Sequence, residues 1–182
     1  MLWFLATIVL GFVIAIVIGS RLPRTHIAAS RIVLQAEPAE VWRLLTDFES
    51  YANWRPGLRG VELGPPIEGR PTWYEVCARN VRVQFSVIDA EPLHRLVTQL
   101  VGDKLPLSGM WVYELRSVDK GTELTITEQD RIYSPFMRFL TKFVFAYYGI
   151  MDVFLIALAR ALGEDARPEH LSLRLELATK DA

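Results

Sequence analysis

The chain has 182 residues, a net charge of −1 and 51% hydrophobic residues. That length suits one domain with an appendage, and the balanced charge excludes a global field that would gather nucleic acid or an acidic substrate. The lone Cys77 excludes an intrachain disulfide and a zinc framework, in keeping with a reducing compartment.

Residues 2–19, LWFLATIVLGFVIAIVIG, carry no charge and one polar side chain, Thr7. As a helix this run spans about 27 Å, close to the hydrocarbon thickness of a bilayer. A signal peptide is the competing reading, with cleavage after Gly19. It asks for a basic n-region, and the first 19 residues hold no Lys or Arg. Residues 1–20 are therefore predicted as a transmembrane anchor. Arg21, Arg24 and Arg31 follow, with no acidic residue before Glu37. This asymmetry predicts a single-pass protein of the cell membrane with its domain in the cytoplasm, and the same arginines suit anionic headgroups.

Residues 21–25 read as a linker. HIAASRIVLQ is strand-like and ends at Glu37-Pro38, where Pro38 suits the first turn of a helix. Val41, Trp42, Leu44 and Leu45 share one broad face. Asp47 is placed to cap a second short helix that stops before Pro56. Strand-like runs follow: LRGVELG, then the loop PPIEGRP, WYEVCAR and VRVQFSVIDAE as a hairpin around Asn80, HRLVTQLV, SGMWVYELRSV and TELTITEQDRIY. Asp119-Lys120-Gly121 is a hairpin turn signal. Ser134-Pro135 opens a helix that reads as one piece of about 28 residues, ending at Gly163. LSLRLELA at 171–178 alternates with period two, which suits an extra edge strand or a docking segment, yet it follows Gly163-Glu164-Asp165 and reads best as a frayed terminus within a 164–182 tail.

The predicted fold is α+β. A curved antiparallel sheet of six to seven strands wraps a long C-terminal helix, and two short helices after the first strand close one end. A single helix covering a curved sheet leaves an elongated apolar cavity, the geometry of a small-molecule site. The stretches PAEVWRLLTDFESYANWRP, EPLHRLVTQL, LPLSGMWVYEL and TELTITEQDRI, in this order, resemble the START-like or SRPBCC superfamily. That superfamily has the helix-grip fold of the birch pollen allergen, and many members carry polyketide cyclase/dehydrase-type names. The resemblance covers residues 26–163. It implies the fold; for function it leaves lipid carriers, hormone receptors and aromatase/cyclases side by side.

On the long helix, Arg138, Lys142, Gly149, Asp152 and Arg160 fall on one meridian at 100° per residue, with Phe145 and Ile156 near it. Opposite lie Phe136, Leu140, Phe143, Val144, Tyr147, Met151, Phe154 and Leu158. Leu140, Phe143, Val144, Tyr147, Met151 and Phe154 are the predicted cavity lining; the plainer reading is that they fill a core. On the strands, alternation turns Trp111, Tyr113 and Leu115 to one face and Leu124, Ile126, Glu128 and Asp130 to one face, both assigned inward. Glu128, Asp130 and Tyr113 are the candidates for acid/base work, since adjacent buried carboxyls have raised pKa values. Against this stands a solvated rim position, or pairing with Arg79 or Arg131. Trp54, Tyr74 and Gln99 are polar-tipped candidates for orienting a ligand.

GxSxG, HExxH, GxxxxGK[ST] and GxGxxG are missing, and His26, His94 and His170 are dispersed. No metal, cofactor or nucleic-acid site is expected, and no protein partner is indicated. The leading expectation is a membrane-anchored domain, held by residues 2–19, that binds a hydrophobic small molecule or lipid. The alternatives are a cyclase/dehydratase-like enzyme and a non-catalytic scaffold with a closed interior.

Overall fold

The structure is a computed structural model that describes residues 2–102, 105–144 and 148–172. Among the described residues, eight strands form one sheet in the order β2-β3-β4-β5-β6-β7-β1-β8, with every neighbouring pair antiparallel. They are β1 (Thr25–Leu34), β2 (Gly60–Ile67), β3 (Arg70–Val76), β4 (Arg82–Glu91), β5 (Arg95–Val101), β6 (Leu107–Val118), β7 (Gly121–Ile132) and β8 (Glu169–Leu171). The helices are α1 (Leu2–Arg21), α2 (Pro38–Thr46), α3 (Tyr51–Trp54), α4 (Pro135–Phe143) and α5 (Gly149–Ala161).

Alternation along the strands decides what is inside. Trp111, Tyr113 and Leu115 of β6 stand opposite Glu128, Ile126 and Leu124 of β7. Together they form the concave face with Ala28, Ile32 and Leu34 of β1. Val41, Leu44 and Leu45 of α2 and Met151, Phe154, Leu155 and Leu158 of α5 close over that face, and most of these are fully buried. A buried Leu or Phe side chain contributes about 1.5–3 kcal/mol before ordering costs. After α2, the chain makes one 3₁₀ turn (Phe48–Ser50) before α3, and the Asp47 side chain makes no capping bond.

The turns follow their residues. Asp119 and Lys120 link β6 to β7, with Gly121 at φ 124°. Arg79 and Asn80, between β3 and β4, both adopt φ 57°. Pro65-Pro66, expected in a loop, instead lies within β2 where the β2–β3 register shifts. Proline lacks the N–H of a regular ladder and is accommodated at an edge-strand bulge.

Two expectations change. The helix foreseen over 135–163 ends at Phe143 and resumes at Gly149; 145–147 fall outside the described residues. Gly149 is a weak helix former in the middle of that run, and the two pieces bury against different things. α4, capped by Ser134 accepting from Met137 N at 3.4 Å, packs on α1; α5 packs on α3 and β1. The second change is β8, which makes the start of the tail part of the fold and raises the strand count to eight. It pairs with β1, and Glu169 accepts from Arg31 Nη2 at 3.0 Å. Glu164 accepts from the backbone N–H groups of Gln35 and Ala36 at 2.8 and 2.9 Å. Residues 173–178 of the alternating LSLRLELA segment lie outside the described residues.

Candidate functional site

A cavity of about 410 Å³ lies between the concave face and the helices, within the size range of small-molecule pockets. Its walls are mostly apolar: Tyr51, Trp73, Val83, Phe85, Leu100, Trp111 and Tyr113, with Leu105, Pro106, Leu107 and Ile150; Pro106 and Ile150 are exposed and so mark an opening. Phe154 stands behind this wall, with its ring 5.5 Å from Trp111 and 5.8 Å from Tyr113. Phe48 stacks on Trp73 at 3.9 Å, and Trp73 on Phe85 at 5.5 Å. These stacks fix the walls before any ligand enters, which lowers the ordering cost of binding.

Besides Thr98 and Cys77, two pairs of ionisable side chains interrupt the apolar lining. The first is the carboxyl pair of β7. Glu128 is buried and accepts from Trp111 Nε1 at 2.7 Å. Burial, reinforced by the charge of Asp130, pushes its pKa up to about 7. Burial likewise raises Asp130 to about 6. Asp130 fits because its β6 neighbour is Gly109, where a Cβ would lie 2.5 Å from the Asp130 carboxylate. Near neutral pH, Glu128 is thus poised between donor and acceptor, unlike the solvated rim carboxylate of the plainer reading. The second group is an ion pair between Arg55 and Glu75. Glu75 also accepts from Trp73 Nε1 at 3.4 Å, and the Arg55 guanidinium lies 5.0 Å from the Tyr51 and Phe154 ring centres. Burial raises the Tyr51 and Tyr113 hydroxyls above the usual phenol range, so both are neutral hydrogen-bonding groups.

Of the residues chosen from sequence, Trp111, Tyr113, Glu128 and Asp130 line this cavity. Phe154 and Met151 are buried in the core behind it. Trp54 packs on Phe154 at 5.4 Å, and its Nε1 is buried without a hydrogen-bond partner. Others lie elsewhere. Tyr74 alternates with the inward Trp73 and Glu75, and carries the Arg82 guanidinium 4.6 Å from its ring centre. Gln99 is exposed beside the inward Thr98 and lines a shallower groove of about 280 Å³ with Thr25, His26 and Met110. Burial there holds the pKa of His26 below its ordinary value. Leu140 is half-buried on α4, which packs on α1 rather than on the cavity. Phe143 and Val144 are 56% and 61% exposed. Tyr147, like Phe145, lies outside the described residues. Arg55, Trp73 and Glu75 also line the cavity and are not among the residues expected from sequence, although the alternation Trp73-Tyr74-Glu75 carries the signal. If the large Trp73 points in, Glu75 does too. Among the described residues, no group of three His, Cys, Asp or Glu side chains is placed to hold a metal.

Comparison with solved structures gives the same architecture. The Zhui aromatase/cyclase of a Streptomyces species matches at TM-score 0.62 and 14% identity, covering 76% of this chain and 94% of its own. Norcoclaurine synthase from Thalictrum flavum matches at TM-score 0.61 and 10% identity, covering 81% and 91%. A protein from Chromobacterium violaceum matches at TM-score 0.57 and 19% identity, covering 79% and 100%. At these identities the likeness is one of fold. No curated protein sequence matches the chain. The family model described as polyketide cyclase / dehydrase and lipid transport matches residues 24–163, from the start of β1 to the end of α5, and the chain belongs to that family.

Proposed function

We propose that this protein binds a hydrophobic small molecule, lipid-like or polycyclic, in the cavity between sheet and helices, while α1 anchors it in the membrane with the domain in the cytoplasm. The observation that carries this reading is the cavity itself: about 410 Å³, walled by stacked aromatic rings, with its charged side chains gathered in the Glu128–Asp130 and Arg55–Glu75 pairs. Burial of apolar ligand surface contributes about 25 cal/mol per Å² before ordering costs. A protonated Glu128 offers a hydrogen bond to a ligand carbonyl or hydroxyl. α1 is 20 residues long, and 11% of its most apolar window is buried, so outside its contact with α4 its side chains lack a protein cover. Arg21 and Arg24 follow it on the side assigned to the cytoplasm. The family description, with lipid transport among its terms, supports the same class of ligand.

The test is native mass spectrometry of the full chain released from detergent, followed by extraction and identification of what it carries. A stoichiometric apolar molecule is the expected result. An empty protein that also fails to take up apolar dyes sinks the reading.

The second reading is acid/base catalysis of the cyclase or dehydratase type, favoured by two adjacent carboxyls with pKa values raised to about 7 and about 6. Glu128→Gln separates the two. Binding kept and turnover lost identifies an enzyme that uses Glu128; binding with no turnover in parent and variant alike argues for binding alone.

A further inference from the structure

We infer that the mouth of the cavity is a lipid-contacting surface: the end of α4 and the rim around Ile150 lie in the surface of an anionic bilayer. Ligand then passes between bilayer and cavity without crossing water. This rests on the anchor and cavity reading above and adds where the opening faces.

The argument begins with the strand ends. α1 leads through Leu22–Arg24 into β1, whose first residue Thr25 pairs with Arg131 near the end of β7. Leu107, at the start of β6, pairs with Ile132, and Ile132 N donates to Arg24 O at 2.7 Å. The cavity-lining residues Leu107, Gly109 and Asp130 therefore sit at the same end of the sheet from which α1 departs. The rim residue Pro106 accepts from Tyr133 N at 2.9 Å and Ser134 N at 3.4 Å, tying the rim to the start of α4.

α4 is in turn fixed to α1. Phe136 packs on Phe12 with ring centres 4.9 Å apart. Gly19 lies so close to α4 that a Cβ would meet the Pro135 carbonyl oxygen at 1.9 Å. Buried Arg138 donates from Nη1 to the Leu22 carbonyl at 2.8 Å, just past the end of α1, where the helix dipole favours a cation. An α1 that enters a bilayer thus carries α4 and the rim to the membrane surface with it. The side chains there suit that place. Phe143, Val144, Ile150 and Val153 are each more than half exposed, and Ile150 also lines the cavity. Arg21, Arg24, Arg131 and Lys142 are exposed around the same end, a charge pattern matched to anionic headgroups. The carboxylates nearby are Asp130, turned into the cavity from β7, and Asp152 between Ile150 and Val153, which is paired with His170 at 2.8 Å. Exposed apolar groups and exposed cations at the end of the sheet next to a membrane helix fit a lipid interface.

The experiment uses the full chain with Cys77→Ser. Single cysteines at Phe143, Ile150, Thr7 and Arg116 are labelled with a nitrobenzoxadiazole fluorophore in vesicles of phosphatidylcholine and phosphatidylglycerol. Quenching by lipids spin-labelled near the top of the acyl chain is the readout, because a probe folded into the cavity turns blue without meeting lipid. The expected result is strong quenching at Phe143→Cys, Ile150→Cys and Thr7→Cys, and none at Arg116→Cys, which is 80% exposed on its side chain at the far end of β6. Quenching at Thr7→Cys alone leaves the anchor standing and overturns the lipid-contacting mouth. Absence of quenching at Thr7→Cys overturns the anchor and this inference with it. Probes at 143 and 150 that are shielded yet unquenched, and that cross-link between chains, assign the surface to a second copy and also overturn it.

Discussion

α4 and α5 come from one apolar run in the sequence and end in opposite settings. α5 buries Met151, Phe154, Leu155 and Leu158 against the sheet and α3. α4 turns its aromatic residues to α1 and leaves Phe143 outside. The two stretches have similar residues, so helical periodicity sees one continuous stripe. The difference lies in what covers the stripe: a curved sheet in one case, another apolar helix in the other. An amphipathic pattern states that a face will be buried, and leaves open what buries it.

Phe154→Ala tests the sheet-facing half and carries the largest expected effect. The ring contacts Tyr51, Trp54, Trp111 and Tyr113 and is 2% exposed. Removing it leaves a void that rigid aromatic neighbours cannot fill. The expected loss is about 3–5 kcal/mol, read by chemical denaturation of the detergent-solubilised chain. A loss below about 1 kcal/mol, within reach of an ordinary surface change, means that the α5 side is as loosely covered as the α4 side.

Glu128→Gln probes the cavity wall that α5 helps to close. The pKa of Glu128 lies above its ordinary 4.5, at about 7, because burial penalises the charged form. The folded chain therefore keeps a proton that the unfolded chain releases between those values. The stability this group contributes is complete below pH 4.5 and is lost as pH rises to about 7, a change of about 3 kcal/mol. The Gln variant should lack this slope: similar to the parent at pH 4 and more stable at pH 8. Parallel stability–pH curves for the two proteins mean that Glu128 is solvated in the folded state.

The sheet was legible because alternation is a local signal. Trp111, Tyr113 and Leu115 point inward as their spacing requires, and Asp119-Lys120-Gly121 makes its turn. The same rule applied to β3 and β5 places Tyr74 and Gln99 outward, because the larger or more buried neighbours Trp73 and Thr98 take the inner face. A polar tip does not decide which face a residue takes; the alternation that turns Trp111 inward does. The aromatic wall was half visible: Phe154 was chosen from its helix, whereas Tyr51, Trp73 and Phe85 join it only through pairings distant in sequence. Leu140, Phe143 and Val144 were misplaced for a different reason. A wheel drawn across 135–163 assumes a single helix meeting a single surface, and α1 supplies a second surface that belongs to another part of the chain.

Phe143→Ala carries the smallest expected effect and bears most directly on the α4 half. Phe143 contacts Phe139 at 5.0 Å between ring centres but is 56% exposed. A side chain that folding does not cover contributes little to folding, so the change in stability in detergent should stay within about 0.5 kcal/mol. The Phe154→Ala loss measured the same way supplies the contrast: two phenylalanines of one apolar run, one held by the protein and one left bare by it. In anionic vesicles the same variant should show a weaker hold of α4 on the membrane surface, read as faster amide hydrogen exchange over Phe136–Phe143 than in the parent. Equal exchange in vesicles means that Phe143 contributes nothing to lipid contact. A loss of several kcal/mol in detergent means that protein, and not lipid, covers the end of α4.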